Sequence, residues 1–597
     1  MRLYEESKYR GNRVPPTEFW HQAIANWLAG SLGDIYNDKE RLIPCYSPKR
    51  KNPHDEDDYP GIIYDYIKQF AISEGSTRVF ILYGPPAIGK TTYLSYLLKI
   101  HLPQKFNCNV YPIFFDLRNV SDFGNLSTKF IEQVEKKLSE ESQLQIFKGK
   151  NPDEKLKIYI EMFKDKLPNQ LTEFDPDNYS IIFENEELKR KVKQTIEDRY
   201  LSNPKLTCIR KIEYLTKNNN IDIVFVIDNF DHHPKHEEMH QSVYDLAKEI
   251  IVDFKRPIFL PMRNYTFLDS YDRFGYMEAD RVRTKSLSVP IHLDVFERRK
   301  NYILSKIDKQ IKLALEKGIK LDIPPGVFKK KLRVVLEGIA GNNEIMIFLA
   351  GVCGDNIRVF LDLILNAIQS GHLEYTERSD GTAVVTYKSF IKACAFCNNF
   401  MFMFTEKRTP IINIYDNGEA EGYRNTLIRI RILQYLRHAS SPVAVEDIAE
   451  ELNVLGYRGE SILNAFVILR SNGLIEEIPY YRSVKKISMD QQFSISPIGI
   501  FYLERLATDP IYFELMSASC NFPLSYKTIV EKLVTLAQET KEHRQNRYEA
   551  LKKILDYFEK CESQERQIVL ADRLNLEKYF ILTPQIEIGI DNAYQWR

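Results

Sequence analysis

The sequence predicts an α/β core, with a parallel sheet flanked by helices, followed by smaller helical domains. Three observations support this fold class. An apolar run at Val79–Tyr83 leads through a glycine-rich loop into an apolar-rich helix pattern. Further apolar runs at 109–117, 221–229 and 257–264 predict buried strands. Residues 425–506 combine three helix patterns with a hairpin pattern, which predicts a separate small domain.

Length and composition indicate a globular chain of about three or four domains. Hydrophobic residues make up 44% and charged residues 27% of the 597 residues, as is ordinary for a chain with a buried core. The 82 basic and 82 acidic residues balance, so no overall positive field indicates nucleic acid. Eight thinly spread cysteines, a charged N-terminus and the lack of a long apolar run predict a cytoplasmic protein without a membrane partner.

The loop Gly84–Thr91 has the pattern G-x-x-x-x-G-K-T of a phosphate-binding P-loop, and it lies between a strand and a helix as that motif requires. Gly84 and Gly89 allow the backbone to turn its N–H groups toward phosphates, and the following helix adds partial positive charge. Lys90 can reach the β- and γ-phosphates, and the Thr91 hydroxyl can ligate Mg²⁺. The sequence therefore predicts a site for ATP and Mg²⁺. The predicted nucleotide-binding residues of the loop are Gly84, Pro85, Pro86, Ala87, Ile88, Gly89, Lys90, Thr91 and Thr92.

The apolar run 221–229 carries Asp228 at its end, which is the Walker B pattern of P-loop ATPases. A strand end beside the P-loop places Asp228 where it can hold Mg²⁺ through water, so Thr91 and Asp228 are the predicted metal ligands. Many P-loop ATPases carry glutamate at the next position, where it orients the attacking water. This chain has Asn229 there, and Asp231 two residues further on. We therefore expect Mg²⁺ binding to be retained and hydrolysis to be slow.

Two patterns that suggest metal binding lie outside these motifs. His236 and His240 form an H-E-x-x-H pattern, the signature of zinc peptidases. The pattern directly follows the Walker B strand and has no third ligand at a convincing spacing. A charged helix face is therefore preferred, and a zinc peptidase is kept as a third hypothesis. Cys394 and Cys397 form a lone C-x-x-C in an apolar run, which favours two small buried residues.

Residues 425–506 match the pattern of a winged helix. Its predicted helices are Leu427–Leu436, Val445–Leu452 and Gly459–Asn472. In DNA-binding domains of this kind the third helix enters the major groove and the wing contacts phosphate. The candidates for DNA contact are Arg458, Asn464 and Arg470 near the third helix, and Arg482, Lys485 and Lys486 on the wing. Glu476 and Glu477 lie close by and oppose DNA binding, so a role in protein packing alone stays open.

These patterns divide the chain into five segments. They are an N-terminal lead-in at 1–60, a P-loop core at 61–295 with a helical insertion at about 123–216, a helical lid at 296–410, a winged helix at 420–506 and a helical tail at 507–597. Two further strands are predicted, at Leu287–Leu293 and at Leu582–Ile590. The tail has no catalytic motif, so docking or assembly is its predicted role.

The order of these motifs resembles that of the AAA+ and STAND ATPases, and is most similar to their origin-recognition-like branch. The resemblance implies that Arg263, at the end of the strand 257–264, senses the γ-phosphate, with Asn264 as the rival candidate. It also implies that Arg358, four residues after Gly354, reaches the nucleotide from the lid. The predicted catalytic set is then Lys90, Asp228, Asn229 and Arg263. Arg273, Arg281 and Arg283 are equal candidates for an arginine that acts on a neighbouring subunit, with an ordinary surface role as the commoner alternative.

The function that this resemblance predicts is an ATPase that works as a slow nucleotide-dependent switch. In the first hypothesis the protein forms a homo-oligomer or controls assembly with a partner effector, for instance in antiviral defence. In the alternative it is an ATP-dependent DNA-binding protein of the initiator or transposition-regulator kind, acting through its winged helix. The neutral net charge, the long insertion and the tail favour the first hypothesis.

Overall fold

The computed structural model describes most of the chain beyond residue 53. The described residues are 54–72, 79–120, 124–140, 147, 151–167, 180–229, 236–264, 266–267, 282–316, 324–370, 373–378, 383–396, 411–415, 426–478, 487–517, 520, 522, 525–526, 528–529, 541–571 and 582–594. They divide into two compact units, the first ending at Ile291 and the second beginning at His292. Each unit is described by itself below.

The first unit is built on a five-stranded sheet in which every pairing is parallel. Its strands are β1 (Val79–Gly84), β2 (Val110–Asp116), β3 (Asp222–Asp228), β4 (Ile258–Arg263) and β5 (Val282–Ser286). Their order is β2-β3-β4-β1-β5, so β4 lies between the P-loop strand and the strand that ends in Asp228. Strands β1, β3 and β4 are buried along nearly their whole length, as expected for central parallel strands. The predicted parallel α/β core is therefore confirmed.

The register of the sheet brings the ends of its strands to one edge. Gly84 at the end of β1 pairs with Arg263 at the end of β4. Asp116 at the end of β2 pairs with Asp228 at the end of β3. Because ligands of open parallel sheets bind beyond the carboxyl ends of the strands, this edge is where a site is expected.

Eight helices of the first unit accompany the sheet in its described part. They are α1 (His54–Ile72), α2 (Lys90–Tyr96), α3 (Leu126–Glu140), α4 (Pro152–Phe163), α5 (Ser180–Glu184), α6 (Glu186–Thr195), α7 (Pro204–Asn219) and α8 (His236–Glu249). Helix α2 continues as a helical stretch to Phe106. In α3 the apolar residues Phe130, Val134 and Leu138 recur at every fourth position and are buried, which is the stripe that packs a helix on a core. The Phe130 ring meets Phe225 of β3 edge to face at 5.1 Å.

Helix α1 is fixed to the beginning of β4 by one tyrosine. The Tyr66 hydroxyl donates to the carbonyl oxygen of Ile258 at 3.0 Å and accepts from the N–H of the same residue at 3.1 Å. Tyr66 is fully buried, and this burial raises the pKa of its hydroxyl, so the group stays neutral and able to donate. One side chain thus satisfies both backbone groups at the start of a central strand.

The fifth strand lies earlier than the sequence predicted. Strand β5 ends at Ser286, and the prediction of a strand at Leu287–Leu293 was wrong. Leu287 donates its N–H to β1 at 2.7 Å as the last contact of the ladder, and the next helix begins at His292. The error has a physical cause: β5 is an edge strand that carries exposed and half-buried polar residues, whereas the apolar residues Leu287 and Val289 that follow it are buried.

The second unit begins with four helices, a two-stranded hairpin and a fifth helix. They are α9 (His292–Glu316), α10 (Pro325–Ala340), α11 (Asn343–Cys353), α12 (Ile357–Gln369), β6 (Tyr375–Glu377), β7 (Ala383–Val385) and α13 (Tyr387–Phe396). In the described residues, no single helix has the length and apolar composition needed to cross a membrane. One bent pair, Gly326–Ala340 with Asn343–Cys353, passes on length and composition only.

The winged helix predicted from the sequence is confirmed. Its elements are α14 (Ile428–His438), β8 (Val443–Ala444), α15 (Val445–Val454), α16 (Gly459–Ser471), β9 (Ile475–Ile478), β10 (Gln492–Ile495) and α17 (Pro497–Glu504). Strand β10 pairs antiparallel with both β8 and β9. The ring of Phe466 on α16 packs 5.3 Å from that of Phe493 on β10, which joins the third helix to the wing sheet.

Most of the described part of the tail is helical. Its helices are α18 (Pro510–Ser517), α19 (Lys541–Ala571) and α20 (Thr583–Tyr594). The strand predicted at Leu582–Ile590 was therefore wrong. The carboxylate of Glu562 accepts hydrogen bonds from the first two N–H groups of this segment and from the Thr583 hydroxyl, so it caps the helix. Ile590 is buried while Ile588 is 62% exposed.

A buried ion cluster joins the tail to the winged helix. Arg431 on α14 lies 2.6 Å from the nearer carboxylate oxygen of Glu565 and 3.1 Å from that of Glu562, both on α19. The Tyr457 hydroxyl contacts Glu565 as well. The side chains of Arg431 and Glu562 are each 3% exposed. One buried cation thus holds two buried carboxylates.

Candidate nucleotide-binding site

The P-loop has a backbone that only certain residues can adopt. Gly84 ends β1, and a Cβ atom there would lie 2.6 Å from the Ile88 side chain and 2.8 Å from the carbonyl oxygen of Leu287. Ala87 and Gly89 have φ angles of 60° and 80°, in the left-handed region that favours glycine. Helix α2 begins directly after Gly89, at Lys90. The loop therefore turns its chain into the start of a helix, the arrangement that binds phosphate through N–H groups.

The Lys90 side chain folds back over the P-loop. Its Nζ donates to the carbonyl oxygens of Gly84 at 3.0 Å and Pro85 at 2.9 Å. An ammonium group is a stronger partner for a phosphate oxygen than for a neutral carbonyl. Lys90 is therefore placed to exchange these bonds for phosphate contacts.

The two predicted metal ligands meet in space. The Thr91 hydroxyl donates to the two carboxylate oxygens of Asp228, at 2.8 and 3.0 Å, and Asp228 is 5% exposed. Hydroxyl and carboxylate oxygens are the ligands that Mg²⁺ prefers. The donor set therefore fits the metal that the sequence predicts.

Asn229 forms a second polar group at this edge of the sheet. Its φ angle is 65°, a left-handed conformation that asparagine tolerates better than most residues. Its amide donates to Asp116 at 3.0 Å. The Arg118 side chain donates to both carboxylate oxygens of Asp116, with Nε at 3.0 Å from each. Burial raises the pKa of the Asp116 carboxyl, but the hydrogen bonds from Arg118 and Asn229 outweigh it and hold that pKa below its ordinary value.

Asp116 and Arg118 are residues that the sequence reasoning missed. The signal that was present is an acid at the end of the apolar run that forms β2. The same pattern was used to select Asp228. Asp116 belongs to no recognised motif, and its place in the site follows from the pairing of β2 with β3.

The predicted γ-phosphate sensor lies beside the P-loop. Arg263 is the last residue of β4, and its Cα pairs with that of Gly84. Asn264, the rival candidate, follows it and is exposed. Of the candidates for an arginine acting in trans, Arg283 lies within β5, where it donates to Gln69 at 2.7 Å. The other two, Arg273 and Arg281, lie outside the described residues.

Arg358 belongs to the second unit. It lies in the first turn of α12, which is capped by the side chain of Asn356 accepting from an N–H at 3.2 Å. Gly354, just before this turn, has a φ of 53°, and a Cβ there would lie 2.8 Å from Ile498 of α17. The start of α12 is thus packed on the last helix of the winged helix. The sensor role of Arg358 stays a prediction.

In the described residues, nothing supports metal binding at the H-E-x-x-H or the C-x-x-C pattern. His240 is fully buried on α8, beside the ring of Tyr244. Across the described part of the chain there is no group of three or more histidine, cysteine, aspartate or glutamate residues that could hold a metal ion. Cys394 is buried in α13, as expected for a small packing residue, and Cys397 lies outside the described residues.

The candidate DNA-contacting residues of the winged helix have different surroundings. Arg458, just before α16, and Asn464, within it, are both exposed. Arg470 instead forms an ion pair with Glu477 of β9, whose side chain is 3% exposed, with 2.5 Å between nitrogen and oxygen. The side chain of Arg470 is therefore paired within the domain. The wing residues Arg482, Lys485 and Lys486 lie outside the described residues.

No protein-family model and no curated protein matches the chain. Three similar solved structures are archaeal. The ORC2 protein of Aeropyrum pernix in its ADP form has 12% identity and a TM-score of 0.36, covering 81% of this chain and 99% of that one. The ORC1 protein of the same organism, in complex with DNA, has 13% identity and a TM-score of 0.29, covering 79% and 97%. Cdc6p from Pyrobaculum aerophilum has 12% identity and a TM-score of 0.26, covering 81% and 99%.

At these values the similarities identify neither a ligand nor a partner of this chain. The fold is defined by its own features. A P-loop and an acid-ending strand lie in one parallel sheet with a further strand between them. A helical region and a small antiparallel sheet with its helices follow. The chain therefore has the predicted architecture of a parallel α/β core with a P-loop, followed by a helical region and a winged helix.

Proposed function

We propose that the chain binds ATP at the P-loop edge of its sheet, hydrolyses it slowly and uses the nucleotide as a switch. The observation that carries this proposal is the hydrogen bond between Thr91 and Asp228, at 2.8 Å. These residues belong to two motifs that are 137 positions apart in the sequence. A chance match to either motif would give no reason for the two side chains to meet.

Each residue of the site has a defined task in this proposal. The N–H groups of the loop and the start of α2 bind phosphate oxygens, and Lys90 neutralises their charge. Thr91 and Asp228 would hold Mg²⁺, which supplies further charge neutralisation on the phosphates. Arg263 at the end of β4 would report the γ-phosphate. Asn229 can orient a water molecule but cannot accept its proton, which fits slow turnover.

Nucleotide titration of the purified full chain tests this function. The substitution Lys90→Ala removes charge-assisted hydrogen bonds worth about 1.5–3 kcal/mol, so ATP affinity should fall about 10- to 150-fold. Lys105→Ala is the matched control, because Lys105 is exposed on the continuation of the same helix. It should leave the affinity unchanged. If the parent ignores millimolar ATP, or if the two variants bind alike, the proposed function is wrong.

DNA binding by the winged helix is the second candidate function. The observation in its favour is that α16 exposes Arg458 and Asn464, since the third helix of this fold is the one that enters the major groove. Binding to duplex DNA should then weaken steeply as salt rises. Arg458→Glu, combined with charge reversal at Arg482, Lys485 and Lys486, should abolish it. Arg437→Glu, on the exposed face of α14, is the control. Binding that survives the combined reversal would exclude this surface.

Assembly is the remaining part of the proposed switch. A homo-oligomer should change its size when ATP replaces ADP, which size-exclusion chromatography with light scattering measures. Neither the described residues nor the comparisons add support for a partner effector or for a role in antiviral defence.

A further inference from the structure

The site has an amide where many P-loop ATPases have a carboxylate. That amide, Asn229, donates to the carboxylate of Asp116 at 3.0 Å. Asp116 ends β2, and its Cα is the register partner of Asp228 on β3. A second carboxylate is therefore present at the same edge of the sheet, one strand away from the expected position.

We propose that Asp116 is the carboxylate that orients and deprotonates the water that attacks ATP. This inference rests on the proposed ATPase function. In the step, the carboxylate of Asp116 takes a proton from water while the water oxygen bonds to the γ-phosphorus. The bond from that phosphorus to the bridging oxygen breaks, and its electron pair leaves with ADP. The products are ADP and phosphate, and the proton on Asp116 returns to solvent.

The exposure of the two acids fits two different tasks. Asp228 is 5% exposed and is hydrogen-bonded to Thr91 of the P-loop helix. The side chain of Asp116 is 35% exposed, so water can reach it. One acid is thus placed for the metal and the other for the nucleophile.

The orientation of Asp116 is fixed by several donors. Its carboxylate accepts from Nε and the backbone N–H of Arg118, and from Asn229. Asn229 makes its bond from a left-handed backbone conformation. Residues in such conformations cluster at functional sites. A carboxylate held in this way is positioned before the substrate arrives. The same donors lower its pKa, which keeps it ionised but makes it a weak base, in line with slow turnover.

A purely structural role for Asp116 makes a different prediction. Asp116 precedes the short turn 117–119 and caps it by accepting from the N–H of Arg118 at 3.1 Å. Asparagine caps such turns about as well as aspartate. If capping were its only role, Asp116→Asn would leave phosphate release close to the parent rate.

The test compares four full-length proteins for ATP affinity and for steady-state phosphate release. They are the parent, Asp116→Asn, the swap Asp116→Asn with Asn229→Asp, and the control Asp222→Asn. Asp222 lies at the other end of β3, where it pairs with Lys68, and its substitution should change neither quantity. Asp116→Asn should lower kcat by about 10²-fold or more and leave the ATP dissociation constant within about threefold. The swap keeps the charge and the hydrogen bond while moving the carboxylate to β3. It should recover at least about tenfold of the lost rate.

Three results would overturn the assignment of Asp116. They are a kcat of Asp116→Asn within threefold of the parent, a swap no faster than Asp116→Asn, and a parent that binds ATP but releases no phosphate. In the first two cases ATP binding and slow hydrolysis would still stand, so the inference fails alone. In the third case the hydrolysis part of the proposed function fails with it, and only ATP binding that depends on Lys90 stands. A parent that does not bind ATP overturns the proposed function and the inference together.

Discussion

Removing the buried arginine that joins the winged helix to the tail should greatly lower the local stability of α14 and α19. Arg431 is 3% exposed, and its guanidinium contacts Glu562 and Glu565, which are 3% and 10% exposed. The substitution Arg431→Met keeps most of the side-chain volume but removes the charge. It leaves two carboxylates buried without a cation, because Arg431 is the partner of both.

The magnitude follows from the burial of the cluster. Breaking a buried ion pair by removing one partner costs about 3–5 kcal/mol, since the remaining charge is uncompensated. The matched control lies on the same helix: Arg437 contacts Glu504 at 2.8 Å, but the two side chains are 46% and 49% exposed. Arg437→Met should therefore cost at most about 1 kcal/mol.

Hydrogen exchange measured by mass spectrometry on the full chain is the assay. A loss of about 3–5 kcal/mol speeds exchange through opening of α14 and α19 by a factor of about 100 to 4,000. The triple variant Arg431→Met, Glu562→Gln and Glu565→Gln should regain most of the protection, because it removes the buried charges as well. If α19 exchanges no faster in Arg431→Met than in Arg437→Met, the cluster does not hold the tail and the reasoning is wrong.

Four further substitutions test other parts of the structure. Gly84→Ala places a Cβ 2.8 Å from the Leu287 carbonyl oxygen, and the strain of about 1–3 kcal/mol should lower ATP affinity about 5- to 150-fold in a nucleotide titration. Tyr66→Phe removes both hydrogen bonds to the start of β4 and should lower the free energy of unfolding by about 1–3 kcal/mol, as followed by urea denaturation. Ile590→Lys should destabilise the tail, whereas Ile588→Lys, at a 62% exposed position, should not. Equal effects in thermal denaturation would contradict the assignment of α20 as a helix.

The features that were predicted correctly have local causes. The P-loop could be predicted because its glycines, lysine and threonine must occupy fixed positions for the loop to bind phosphate. The winged helix could be predicted because its helices have apolar positions at helical spacing and its wing follows directly. Strands β1, β3 and β4 are buried on both sides, so their apolar runs are continuous and easily recognised.

The two strand predictions that failed share one physical reason. An apolar residue at every second position predicts a strand only if the segment is paired with a sheet. The segment Leu582–Ile590 has such alternation, but the carboxylate of Glu562 caps its first turn and a helical face of it is buried instead. At β5 four of the five paired residues are polar, and this is an edge strand. Long-range partners, rather than local pattern, decided both cases.

Long-range contacts also decide which charged residues can be assigned a functional role. Thr91 and Asp228 belong to motifs with a known chemistry, so their contact was expected from the sequence. Asp116 has no motif, and only the register of β2 against β3 brings it to Asn229. Arg470 has the charge and the position of a DNA contact, yet the carboxylate of Glu477 engages it within the domain. An arginine that is paired with a carboxylate of its own domain is a poor candidate for DNA contact, so Arg470 is set aside, while Arg458, which is exposed just before α16, is kept.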